Sequence, residues 1–431
     1  MPSIASKSPL SGADYFQLVL DKHIRNHGNV GNVSRCVIEL DGQLTKLDLE
    51  NKLDSLSIFS WMKELRIKRK HIGKIPYWKS IANNNSFPIT EHQSENDIPT
   101  GVLNRDINAQ SGVLYHFDLI HKVHHKSSLV FSVHHSLMDS KGVQLLMKIL
   151  AEPIEKEDVS YYFPKETPSG HSLLYKLLKS FQAKHFIEKF DFINMASLLE
   201  TQPKKVAMSK FDTIQFTKEE TELIYKNSLL NGSRFGNSPY YLACITRGLN
   251  FLLEKRGKGS GDFWVPLPQN QRRRGSKGPI FSNQLSFMFF RISKSKLPSV
   301  KETIDDITQQ MIHQIRIGFP HAYSTMMELF RRVPLFIYSF LIKKSSKGTT
   351  ASFSFSDVGE AWGSSSHFMG LPIVDVTHIP ANPYIPGFTI VFSQYKGALK
   401  IIIAHIEETI GENDMAMFED FLRKDLLQSH S

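Results

Sequence analysis

SLVFSVHHSLMDSKGVQLLMKIL, running from Ser128 to Leu150, changes its hydrophobic period halfway along. Leu129, Phe131 and Val133 alternate with Val130 and Ser132, the repeat of a strand; Val143, Leu146, Met147 and Leu150 recur at helical spacing. A short polar loop between them holds His134, His135 and Asp139, with Asp139 or Ser140 placed to cap the helix. Side chains alternate across a strand, so the two histidines should point opposite ways, one anchoring inward and one facing a cleft. Asp139 can turn back and brace the loop. Paired histidines at a strand end also occur as plain hydrogen-bonded anchors, so the neighbouring stretches must decide between anchor and catalyst.

Before this stretch, SPLSGADYFQLVLDKHI reads as a helix capped by Ser11, with Asp14 three residues on and an apolar face of Phe16, Val19 and Leu20. NVSRCVIELDGQL is a strand closing at the Asp41-Gly42 turn, followed by a helix from about Leu47 to Ile58 and a basic strand, WMKELRIKR. Residues 80–100, rich in Asn, Ser, Pro and Glu, read as a surface loop, and Val113 to Ile120 as a strand. His121, His124 and His125 then form a solvated hairpin turn. With His134 and His135 they make five histidines, but no carboxylate stands at helical spacing with them, so no metal site is expected.

After it, residues 158–170 are a polar connection. HSLLYKLLKSFQAKHFIEKFDFI carries Leu173, Leu174, Leu177, Leu178, Phe181 and Phe190 on one stripe, decorated by Lys176, Lys179, Lys184 and Lys189. The ordinary reading is a packed helix with a solvated basic face; the alternative is a lid or a helix lying on a membrane. FDTIQFTKEETELIYKNSLLNG is a strand and a helix opened by Thr217 with Glu220, and Ser238-Pro239 starts a helix ending near Gly257. A helix over about Val300–Ile317 precedes MMELFRRVPLFIYSFLIKK, read as a buried helix with basic ends or as an interfacial one. TTASFSFSDVGEAWG, a hairpin turning at Lys396-Gly397 and an amphipathic helix complete the chain.

Strands alternate with helices throughout, which predicts α/β lobes of mixed sheet. The 431 residues suit two packed lobes, divided as 1–165, a helical crossover over 166–205, and 206–431. Cys36 and Cys244 are the two cysteines and sit inside regular elements, which points to a reducing compartment without a disulfide framework. No apolar run follows Met1, and the longest apolar stretch, Val333 to Ile342, is too short to cross a bilayer, so a cytoplasmic protein is expected, either free or peripheral to a membrane. The net charge of +10 suits an anionic partner: coenzyme A phosphates, an acidic carrier protein or a membrane surface. A nucleic-acid partner is not expected, since no basic–aromatic surface motif repeats. Serine-hydrolase elbows, P-loops and dinucleotide fingerprints are missing from the sequence.

The order of His134, His135 and Asp139 resembles the His-His-x-x-x-Asp-Gly motif of the condensation-domain and chloramphenicol-acetyltransferase-like acyltransferase superfamily, with Ser140 in place of the glycine. The opening Pro-Leu-Ser-x-x-Asp segment is similar to that of its wax ester synthase and diacylglycerol acyltransferase-like branch. WVPLPQNQRRRGSKGPIFSNQLSFMFFRI resembles the Val-Pro-Val-x-x-x-x-Arg segment, through Val265, Pro266, Arg272 and Asn283; Ser356, Asp357 and Gly359 loosely match a second conserved turn. The resemblance implies two lobes with a channel between them. It makes His135 the general base, gives His134, Asp139 and Arg272 structural roles, and has Arg272 paired with Asp139. Ser356, Asp357 and Asn283 become candidates for holding an oxyanion or shaping the channel, and Arg273 and Arg274 are expected to face solvent or phosphate. It further implies direct transfer from an acyl-CoA or phosphopantetheine thioester co-substrate, with no other cofactor, to a hydroxyl acceptor. The alternatives are a free-standing amide-forming condensation enzyme and a non-catalytic acyl-binding scaffold.

Overall fold

Both periods of residues 128–150 become the elements they predict, a strand Lys126–His134 and a helix Ser140–Ala151. The computed structural model describes residues 7–26, 30–63, 65–81, 86–95, 97–110, 112–152, 159–164, 171–190, 194–199, 208–258, 261–273, 275–276, 278–345, 350–362, 365–383 and 385–429. Parts of the expected 158–170 connection and 166–205 crossover, and Arg274, lie outside these residues.

The strand lies inside a six-stranded sheet in the order His367–Phe368, Leu371–Ile379, Val33–Leu40, Lys126–His134, Tyr115–Lys122, Ile89–Gln93. Pairing is antiparallel except at the last edge, where Ile89–Gln93 runs parallel to Tyr115–Lys122. Alternation sorts the side chains onto two faces. Cys36, Ile38, Phe117, Leu119, Leu129 and Phe131 enter the large core that also takes Leu146 and Met147, whereas Val37, Ile120 and Val130 enter a smaller cluster on the opposite face.

A second sheet orders Ser354–Glu360, Phe388–Tyr395, Ala398–His405 and Lys210–Gln215. Its Phe355, Ile390, Phe392, Ile401 and Ile403 share a separate core with residues of the helices Ser238–Lys255 and Glu412–Leu427. Between the cores runs an antiparallel hairpin, Phe263–Asn270 with Leu285–Ile292. Trp264 and Phe289 join the first core; Phe263, Val265 and Phe290 join the second. Alternation along two paired strands therefore stitches the cores together, and the hairpin's loop lands beside the histidine loop through Arg272 and Asn283.

Several expectations hold. The Thr217–Glu220 capping box is formed, and the hairpin turns at Lys396-Gly397, both in the left-handed region. His124 and His125 make an exposed turn with φ of 58° and 55°. Others are corrected. In WMKELRIKR, Trp61 and Met62 belong to a helix, Ser57–Met62, and the strand starts only at Leu65, because both side chains are buried on that helix's inner face. Residues 80–100 are not all loop, since Ile89–Gln93 closes the sheet edge through main-chain pairing that polar side chains do not prevent. The strand over Ser354–Glu360 does not stop at Ser356-Asp357: it continues through a bulge, with Gly359 at φ 67°.

The two apolar helices also differ from the packed reading. On Leu173–Glu188 the buried residues are Ser180 and Ala183, and the leucine stripe is exposed. On Leu335–Ser345, Tyr338 and Ser339 are buried while Phe336 and Phe340 face outward. Among the described residues no helix is long and apolar enough to cross a membrane.

Candidate functional site

The site is built from three segments distant in sequence: the opening helix Gly12–Asn26, the loop after the histidine strand, and the hairpin loop. Ser11 and Asp14 cap the opening helix reciprocally, Ser11 N–H donating to Asp14 Oδ2 at 2.7 Å and Asp14 N–H to Ser11 Oγ at 3.0 Å. Asp14, Gln17 and Asp21 then fall at i, i+3 and i+7, one buried polar stripe beside the apolar face.

The histidines diverge as alternation requires. His134 ends the strand fully buried, its Nε2 3.1 Å from Asp21 Oδ1 and its Nδ1 2.8 Å from Ser136 Oγ. Burial pushes the Asp21 carboxyl up, but His134, the Asn32 N–H and Arg25 together hold it below its ordinary value. Asp21 thus anchors the loop from beneath.

His135 is half-buried, and its N–H donates to Asn32 O at 2.8 Å. Its Nδ1 lies 3.1 Å from Asn283 Oδ1. The other end of that amide fixes which atom is which. Asn283 Nδ2 donates to Asp14 Oδ1 at 3.0 Å and to His135 O at 2.8 Å, both acceptors, so its oxygen must face the ring. Nδ1 therefore carries the proton and Nε2 is the basic nitrogen, which makes no hydrogen bond among the described residues. Burial, the largest influence, holds the imidazole below its ordinary pKa, against the opposing effects of its own carbonyl, Asp139 and Asn283. The result is a neutral ring with one lone pair available.

Both amide hydrogens of Asn283 are committed, so it has none to offer an oxyanion; it positions His135. Asp14 in turn positions Asn283, also accepting the Asn283 N–H at 2.6 Å, and burial pushes its carboxyl above the ordinary value against those bonds. Sequence reading saw Asp14 only as a cap partner. The available signal was the polar stripe Asp14, Gln17, Asp21, too regular for a solvated face on a helix flanked by apolar residues.

Asp139 holds the loop. Its Oδ1 accepts Gly142 N–H at 2.8 Å, capping the helix, and its Oδ2 accepts Arg272 Nη1 at 2.7 Å and Gln284 N–H at 2.9 Å. The expected Arg272–Asp139 pair is therefore present, through a single carboxylate oxygen. The rest of the guanidinium donates to Pro279 O at 3.0 and 2.8 Å and to Ser282 O at 3.1 Å, which fixes the hairpin loop that carries Asn283.

Ser140 is the first residue of the helix and is not among the residues of positive φ, so its backbone does not need the motif glycine. The glycine that this loop does need is Gly142: a Cβ there would stand 2.5 Å from Ile280 O and 2.9 Å from Met138 Cβ. His134, His135, Asp139, Arg272 and Asn283 thus form one network. Ser356 and Asp357 lie apart on the second sheet, Asp357 accepting from Ser238 Oγ at 3.0 Å, and no hydrogen bond joins them to His135 among the described residues. The five histidines do not converge: His121 meets Glu91, and His124 and His125 face solvent.

No family model matches the sequence, and the search of curated proteins found no match. Comparison of folds is more informative. The first condensation domain of the CDA synthetase superimposes with a TM-score of 0.69 at 12% identity, over 100% of this chain and 98% of that one. The trichothecene 15-O-acetyltransferase from Fusarium sporotrichioides gives 0.70 at 11%, over 98% and 95%. A wax ester synthase/diacylglycerol acyltransferase from Marinobacter aquaeolei gives 0.57 at 11%, over 97% and 98%. The chain has the mixed α/β fold that these condensation and chloramphenicol-acetyltransferase-like proteins share.

Proposed function

We propose that the protein is an acyltransferase that moves an acyl group from a coenzyme A or carrier-protein thioester to a hydroxyl acceptor, a lipid or another alcohol. The observation that carries this reading is the His135 imidazole, neutral, with Nδ1–H held by Asn283 Oδ1 and Nε2 left open. Such a ring is suited to general-base work near neutral pH. The acceptor oxygen attacks the thioester carbonyl carbon as Nε2 takes the hydroxyl proton. The tetrahedral intermediate collapses with cleavage of the C–S bond, and the departing thiolate recovers the proton from the imidazolium. An ester and a free thiol result, with no acyl-enzyme and no cofactor beyond the thioester itself. Holding donor and acceptor together in one channel supplies much of the rate. A backbone N–H beside the histidine loop is the proposed donor to the developing oxyanion.

An O-acetyltransferase and a wax ester synthase among the similar folds support ester formation. The similar condensation domain keeps an amide-forming reaction as the second reading. The test is thiol release from acyl-CoA and acyl-carrier thioesters in the presence of long-chain alcohols or amines. Turnover with alcohols that His135→Ala abolishes supports the proposal. Turnover by His135→Ala at the parental rate refutes the general-base role, and turnover with amines alone replaces ester by amide.

A further inference from the structure

The two apolar helices each expose a face that the acyl-transfer network does not use. Leu173, Leu174, Leu177, Leu178 and Phe181 fall at i, i+1, i+4, i+5 and i+8 of one helix, each between 50% and 68% exposed. Isolated exposed leucines are ordinary; five on one stripe are not. The inversion has a packing cause. This helix is held to the protein by its other side: Phe186 lies 4.3 Å from Phe319 between ring centroids, Gln182 donates to Ile317 O at 3.0 Å, and Tyr175 Oη is 3.2 Å from His321 Nε2. The helix Phe319–Phe330 thus lies beneath it. At the other end of that helix, Phe330 stacks on Tyr338 at 5.0 Å, docking Leu335–Ser345 with Phe336 and Phe340 each 63% exposed. An open cavity of about 250 Å³, lined in part by Tyr15, Arg69 and Leu335, lies against the start of this second helix.

Charge identifies the occupant. Of the lysines within the two helices, Lys343 and Lys344 are exposed at the end of the second, and Lys184 is exposed on the first, 3.4 Å from that helix's single carboxylate, Glu188; Lys176 and Lys179 are half-buried. A second copy of the chain, meeting these faces through a two-fold axis, would bring to Lys343 and Lys344 only the same lysine-rich patch, whose one carboxylate, Glu188, already pairs with Lys184. A bilayer with anionic headgroups satisfies both components: leucine and phenylalanine side chains enter the headgroup–acyl boundary while lysine stems lie along it and their ammonium groups meet phosphates. We propose that the exposed faces of Leu173–Glu188 and Leu335–Ser345 dock the protein on an anionic lipid bilayer. The proposal goes beyond the acyl-transfer reading and does not depend on it.

Co-sedimentation of the full chain with vesicles tests it directly, using phosphatidylcholine alone and phosphatidylcholine mixed with phosphatidylglycerol. Binding to the mixed vesicles, weakened by salt and weaker still on the neutral ones, is expected. A triple variant, Leu174→Ser, Leu178→Ser and Phe181→Ser, should lower the partition coefficient by about tenfold or more, and Lys343→Glu with Lys344→Glu should reduce the preference for anionic vesicles. The substituted apolar side chains are exposed, so circular dichroism and thermal melting of the triple variant should match the parent, separating lost docking from lost folding. Three results would overturn the proposal: no vesicle binding by the parent, equal binding by parent and triple variant, or a lipid-free dimer that the triple variant dissolves, which would make a second copy the occupant.

Discussion

Replacing Asn283 with alanine probes the reasoning about the site most sharply, because one side chain joins all three segments. The variant loses a bond to a buried carboxylate, Asp14 at 3.0 Å, and two neutral ones, to His135 O at 2.8 Å and from His135 Nδ1 at 3.1 Å. A bond to a charged group contributes about 1.5–3 kcal/mol and a neutral one about 1 kcal/mol, so a stability loss of about 4 kcal/mol is expected. Asp14 keeps the Asn283 and Ser11 N–H groups, which limits the damage. Catalysis should suffer separately, because nothing then assigns the ring proton to Nδ1; a loss on the order of 10²–10³ in kcat/KM is expected, the size of a general-base contribution. The Asn283 bond raises the imidazole pKa, so its removal should move the acidic limb of the pH–rate profile to lower pH. Asn283→Asp reverses that sign: a carboxylate at Nδ1 favours the imidazolium and should move the limb upward. Chemical denaturation and a pH series of thiol-release rates measure both. A parental kcat/KM and an unmoved limb in Asn283→Ala, at an intact fold, would refute the positioning role.

Arg272→Ala leaves Asp139 buried without its cation and frees the carbonyls of Pro279 and Ser282; denaturant unfolding should show a loss of about 3–5 kcal/mol together with activity. A stable variant lacking only activity would instead argue for substrate contact. Gly142→Ala drives a methyl group into Ile280 O and should cost about 1–3 kcal/mol, whereas Ser140→Gly, restoring the motif residue, should change stability by less than about 1 kcal/mol and leave kcat/KM alone; parallel melting curves and thiol-release assays separate the two. Burial pushes His378 down to about 4, so its neutral form is stabilised by the fold. Its contribution is complete above the unfolded value of about 6.5 and is lost as pH falls through about 4, a decline of at most about 3 kcal/mol. Urea midpoints across that window should flatten in His378→Leu.

Local order in the sequence determined a good deal. The change of period across residues 128–150 placed strand, loop and helix, because side-chain direction follows directly from backbone repeat. The same logic sent His134 and His135 apart, and the reciprocal caps at Ser11–Asp14 and Thr217–Glu220 are contacts between residues three apart. The Arg272–Asp139 pair was legible from motif resemblance, which brings together residues that local pattern cannot connect.

What tertiary structure alone decided concerns partners across the chain. Asp14 became a positioning group only when the hairpin loop brought Asn283 to it, and the tautomer of His135 follows from that meeting. The need for glycine sits at position 142 rather than 140 because the contact is with Ile280, far away in sequence. Ile89–Gln93 is a strand because a neighbour's main chain was available. The leucine stripe of residues 173–181 faces outward because Phe186 and Gln182 found their partners on the opposite side. Periodicity tells which residues of a helix share a face; which face is covered depends on what the rest of the chain places beside it.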